Sequence, residues 1–150
     1  MGTVTYPNPK VIAYLNESFV PVQINVADHP ESMGNFNAQW TPTIMVRDIA
    51  GKEYRRTVGY LGPEALLAEL ELGLAQMQLA REDYAGAVQR LEKLVGDSRG
   101  LPIAPETMYW LGVAQYRSSH DPAQLKRQWA RLKHEFPDSE WTGRSDILWA

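Results

Sequence analysis

The hydrophobic pattern of this chain changes character once, near residue 70, and that change confines it to a mixed α/β region followed by an all-helical one. Between residues 8 and 70 helical and strand spacings alternate. Asn8-Pro9 can cap and open a helix, because Pro suits a first turn whose N–H has no intrahelical partner. Val11, Ile12, Tyr14, Leu15 and Phe19 follow as a mainly apolar helical face. Pro21-Val22-Gln23-Ile24-Asn25-Val26 alternates apolar and polar residues, which predicts a strand with one buried face. Pro30-Glu31, after Asp28-His29, starts a short helix carrying Met33 and Phe36. Thr43 to Val46 is β-rich, Ala50-Gly51-Lys52 is a turn signal, and Tyr54 to Tyr60 is a further strand, so the two predict an antiparallel hairpin. Gly62-Pro63-Glu64 opens a long helix through Leu66, Leu67, Leu70 and Leu74, expected to run from the first region into the second.

Residues 71 to 150 carry no strand signal. Leu74-Ala75, then Tyr84, Ala87, Leu91 and Leu94, fall at the positions of a helix-turn-helix pair in tetratricopeptide repeats, which this region resembles. Tyr109-Trp110-Leu111-Gly112 and Tyr116, followed by Leu125, Trp129, Leu132 and the closing Pro137, match a second such unit. Ser139-Glu140-Trp141 starts a last capping helix. The expected division is therefore residues 1–70 and 71–150.

Composition removes several classes of function. A net charge of -3 gives no electrostatic case for nucleic acid or an anionic membrane. No apolar run approaches the roughly 18 residues of a spanning helix. The start of the chain has no basic region followed by an apolar stretch, so a cytoplasmic location is expected, or a periplasmic one if the chain is a piece of a longer protein. There is no cysteine, which leaves no disulfide, no thiolate nucleophile and no cysteine metal ligand. His29, His120 and His134 are not at metal-ligand spacing, no Gly-x-Ser-x-Gly or phosphate loop occurs, and no acid–base pair stands out. No catalytic residue, cofactor or metal is expected. Arg55-Arg56 and Lys126-Arg127 read as solvated faces.

Residues 7 to 72 resemble the C-terminal part of the thioredoxin fold. The resemblance is carried by Asn8 to Asn16 before Phe19-Val20-Pro21-Val22, by Thr41-Pro42-Thr43, by the Gly51-Lys52 turn and by Gly59 before the last helix. From Ala68 onward the chain resembles tetratricopeptide units, helix-turn-helix repeats of about 34 residues, with a longer link at Gly96 to Pro102 and an extra residue around Ser118 to Pro122. As a whole it looks like bacterial thioredoxin-family proteins with helical repeats after the redox domain. The resemblance implies a cis peptide at Thr41-Pro42, facing a groove that takes an extended peptide. It also implies a central strand and a Cys-x-x-Cys helix start ahead of Tyr6, neither of which the chain contains.

A sheet without its central strand leaves backbone groups unpaired, and these cannot stay buried. The flanking strands are expected to close on each other as a three-stranded antiparallel sheet, within an α/β fold of partial thioredoxin type followed by all-α helical hairpins. A second copy of the chain covering the gap as a symmetric homodimer is the other way to close it. The function expected is non-catalytic protein–protein interaction or assembly, with a protein or peptide partner and neither nucleic acid nor membrane. The alternative is a truncated thiol-disulfide oxidoreductase whose Cys-x-x-Cys lies upstream of Met1. Trp40, Thr41, Pro42, Tyr109 and Tyr116 are the candidate partner contacts, and Trp149 the candidate oligomer contact.

Overall fold

The computed structural model describes residues 1–146. The elements run α1 (Pro9–Ser18), α2 (Glu31–Asn35), β1 (Thr43–Arg47), β2 (Glu53–Val58), α3 (Pro63–Ala80), α4 (Tyr84–Asp97), α5 (Ala104–Ser119), α6 (Pro122–Glu135) and α7 (Glu140–Ser145). They form two compact units, Met1–Leu67 and the chain from Ala68 onward, so the division falls within α3.

In the first unit α1 begins where the sequence says it should. The Asn8 side-chain oxygen accepts from the backbone N–H groups of Lys10 at 3.0 Å and Val11 at 3.4 Å, partnering donors that the helix leaves open. Val11, Val46 and Leu66 are buried, as is Thr5, whose hydroxyl donates to the Leu61 carbonyl at 2.6 Å. The hairpin forms as expected, with Thr43 opposite Val58 and Val46 opposite Arg55, and an irregularity between Val46 and Arg47. Its second strand spans Glu53–Val58 rather than Tyr54 to Tyr60. In the turn, Asp48 Oδ1 accepts from Ala50 N and Lys52 N, both at 3.0 Å. Gly51 takes φ +82°, a left-handed value that costs a residue without Cβ little.

The three-stranded sheet is not formed. Among the described residues there is one sheet, of β1 and β2 alone, and helices dominate. Pro21–Val26 joins no ladder. The alternating pattern records which residues a strand could bury, but a strand exists only beside a neighbour roughly 4.8 Å away that takes its N–H and C=O groups. Among the described residues no strand pairs with this segment, and Val20, Val22 and Ile24 are exposed instead of buried.

The second unit is a succession of antiparallel helices. Ala68, Leu72 and Ala75 of α3 share a core with Ala87, Leu91 and Leu94 of α4 and with Leu111 and Ala114 of α5. A second cluster joins Met108 of α5 to Trp129 and Leu132 of α6, with Phe136 and Trp141 against it. The helix α5 is central, packing on α4, α6 and α7. Three of its helix starts are chemically marked, those of α4, α6 and α7: Asp83 accepts from Gly86 N, Asp121 from Ala123 N and Ser139 from Trp141 N. Gly112 sits where α5 meets the Trp129 indole, so closely that a Cβ would stand 2.8 Å from its Cδ1 and Nε1 atoms. A bulkier residue there would force the helices apart.

Candidate functional site

The loop from Phe36 to Thr43 is held by an arginine that sits sixteen positions beyond Trp40. Arg56 projects from β2 and donates from Nε to Glu53 Oε1 at 2.7 Å and from Nη2 to Glu53 Oε2 at 2.6 Å. Its Nη2 also donates to the Phe36 carbonyl at 2.8 Å, and Nη1 to the Asn37 carbonyl at 3.1 Å. The hydrogen bond to Glu53 is the main reason its pKa lies above the ordinary arginine value. Asn37 itself adopts a left-handed φ of 47°, and Ala38 N donates to the Met33 carbonyl at 2.8 Å. At the far end Thr43 Oγ1 donates to the Trp40 carbonyl at 2.6 Å, and Gly59 N donates to the Pro42 carbonyl at 2.8 Å. The Thr41-Pro42 peptide is cis.

This bracing presents Trp40 to solvent: it is 68% exposed. A cleft of about 330 Å³ lies beside it, lined by Asn37, Gln39, Trp40, Arg56 and Val58. Its chemistry is that of a neutral ligand site. The Glu53 carboxylate already neutralises the Arg56 guanidinium, and four of its five N–H groups are used by Glu53, Phe36 and Asn37. One Nη1 hydrogen remains for an incoming acceptor. The side-chain amides of Asn37 and Gln39 make none of the described hydrogen bonds and can each donate and accept. Trp40 and the exposed Val58 supply apolar surface.

Of the five expected partner contacts, Trp40, Thr41 and Pro42 are thus contiguous and lie on or next to the cleft. Tyr109 and Tyr116 lie two turns apart on α5, in different settings. Tyr109 is stacked on Trp129, with ring centroids 4.7 Å apart, and packs against Trp110 at 5.7 Å and Trp141 at 5.2 Å. Trp129 Nε1 donates to the Tyr109 carbonyl at 3.1 Å, so this tyrosine belongs to the helix-packing aromatic cluster. Tyr116 stays exposed, and its neighbour Arg117 lies over the Tyr84 ring and donates to the Tyr84 hydroxyl. Trp149 lies outside the described residues. Arg56, Asn37, Gln39 and Val58 are the site residues that the sequence does not reveal; by sequence Arg55-Arg56 reads as a solvated face. The usable signal was the period of two in β2, which puts Tyr54, Arg56 and Val58 on one side.

Among the described residues no group of three or more His, Asp or Glu side chains could hold a metal ion, and no helix is long and apolar enough to cross a membrane. Comparison of the chain with protein-family models, curated proteins and solved structures gives no match in any of the three.

Proposed function

We propose that this protein is a non-catalytic interaction module that holds an uncharged, extended peptide segment of a partner protein against Trp40. The observation that carries the reading is the combination of exposure and rigidity at that residue. An indole left in water on a loop fixed at both ends by hydrogen bonds is a ready-made anchor. A peptide fits the polar groups around it: its carbonyl oxygens can accept from Arg56 Nη1 and from the Gln39 or Asn37 amides, while an apolar side chain covers Trp40 and Val58. The resemblance of residues 7 to 72 to a peptide-facing scaffold points the same way. Thiol chemistry has no atom to run on, since the chain has no cysteine. In this reading the helical pairs from Ala68 onward form a separate unit, on which exposed Tyr116 is the best candidate contact.

The test is a pull-down with the wild-type chain, Trp40→Ala and Tyr116→Ala, followed by affinity measurement with the retained partner. Trp40→Ala is expected to weaken binding by about 30-fold or more, as for a central aromatic anchor. Retention of the same partner at unchanged affinity by Trp40→Ala would overturn the assignment. Loss confined to Tyr116→Ala would move the site to the helices.

A further inference from the structure

We infer, resting on the peptide reading of the Trp40 cleft, that its occupant is a proline-rich segment in the polyproline II conformation, with one proline ring lying on the indole. The supply of hydrogen-bonding groups in the cleft points to it. Carbonyls on both sides of Trp40 are already spent. Those of Phe36 and Asn37 accept from Arg56, that of Trp40 from Thr43 Oγ1 and that of Pro42 from Gly59 N. Asn37 N and Ala38 N are spent as well, on the Gly34 and Met33 carbonyls at 3.1 and 2.8 Å. The side chains lining the cleft offer mostly donors. Arg56 keeps one Nη1 hydrogen, and the Trp40 Nε1–H makes none of the described hydrogen bonds. The Asn37 and Gln39 amides each bring two N–H groups against one oxygen.

A donor-rich site discriminates by what its ligand brings. An ordinary extended peptide brings an N–H with every carbonyl, and an N–H covered without an acceptor is penalised. Adding it as a strand needs backbone donors and acceptors in alternation, and the loop around Trp40 has spent most of its own on bracing itself. A proline residue brings a carbonyl and no N–H. In polyproline II these carbonyls have no internal partner and are free to accept. The conformation is also largely set before binding, so little chain entropy is lost on docking. The apolar half of the cleft agrees. Trp40 is 68% exposed and Val58 54%, and an indole face suits the compact ring of proline, as in other aromatic-lined grooves for such segments. At about 330 Å³ the cleft stands at the small end of ligand sites and suits a short stretch of chain. No charge is called for on the ligand, because Glu53 already neutralises Arg56.

The experiment titrates the full chain with two capped, uncharged hexapeptides, hexaproline and a proline-free one alternating serine and valine. Binding is read from the indole N–H resonance of Trp40, the one among five tryptophans whose signal Trp40→Phe removes. Gln39→Glu keeps the shape and an oxygen of this exposed side chain but replaces its N–H donors with an acceptor-only carboxylate. Circular dichroism checks that the variant folds. Wild type is expected to bind hexaproline at least about tenfold tighter than the proline-free peptide, and Gln39→Glu to cut that preference to about threefold or less. Hexaproline bound no tighter than the proline-free peptide overturns the inference and leaves Trp40 an anchor for other peptides. A preference untouched by Gln39→Glu overturns it too, because donors then do not set the choice. No movement of the Trp40 signal with either peptide counts against the peptide reading itself and removes the inference with it.

Discussion

Replacing Gly112 by alanine should destabilise this protein although it adds a better helix former to the middle of a helix. On propensity alone, Gly→Ala inside α5 stabilises by about 1 kcal/mol. The new Cβ, however, would stand 2.8 Å from Cδ1 and Nε1 of Trp129 and 3.3 Å from a Leu125 methyl. Relaxed carbon contacts lie at about 3.5–4.0 Å, so the indole must retreat by about 0.7 Å or more. Trp129 is buried and doubly committed, by its 3.1 Å hydrogen bond to the Tyr109 carbonyl and by its stack on the Tyr109 ring. Overpacking costs about 1–3 kcal/mol, and partial loss of the hydrogen bond adds up to about 1 kcal/mol. Weakening of the stack adds up to about 1 kcal/mol more. After the propensity gain the net loss is about 2 kcal/mol, or a melting temperature lower by roughly 4–8 °C for a chain of this length. Urea and thermal unfolding, followed by near-ultraviolet circular dichroism, measure it. Gly96→Ala is the matched control: nothing lies within 4 Å of its Cβ, and a gain of up to about 1 kcal/mol is expected. If Gly112→Ala proves as stable as wild type or more so, the close approach of α5 to Trp129 is not what holds these helices.

Leu91→Ala empties a fully buried position in the cluster shared by α3, α4 and α5 and should lose about 2–5 kcal/mol by urea denaturation. Asp121→Ala removes the side-chain acceptor for Ala123 N at the start of α6 and should cost about 1 kcal/mol, with the loss largely recovered by Asn. Tyr6 carries a pKa raised above 10.0 because burial disfavours the phenolate. Folding therefore favours the protonated form: this contribution is fully present below the unfolded pKa near 10 and is lost as pH rises through the higher folded value. Tyr6→Phe should flatten the stability profile in that alkaline window and leave it unchanged near neutrality, as read by denaturant midpoints.

The elements whose signals are local were legible in the sequence. Asn8 before Pro9 and Ser139 before Glu140 each mark a helix start because the cap is a bond between residues two or three apart. Ala50-Gly51-Lys52 marks the hairpin turn for the same reason, with Asp48 accepting within four residues. The expected strand at Pro21–Val26 failed because a ladder is a long-range bond. Its residues state a preference that only a neighbour can satisfy, and in the described structure none does. The candidate site divides along the same line. Trp40 was visible as an aromatic beside Thr41-Pro42. Arg56 was not, since its role depends on the Phe36 and Asn37 carbonyls about twenty positions earlier.

By itself, then, the sequence determined the starts of α1, α2, α3 and α7, the hairpin turn, the change from mixed to helical structure near residue 70, and the impossibility of thiol chemistry in this chain. Each follows from residue identity or from contacts within one turn. The tertiary structure alone decided that the sheet stops at two strands, that Tyr109 lies among three tryptophans while Trp40 stands in water, and that a glycine is required against Trp129. Those outcomes depend on which distant groups come within hydrogen-bond or van der Waals reach, and periodicity carries no information about that distance.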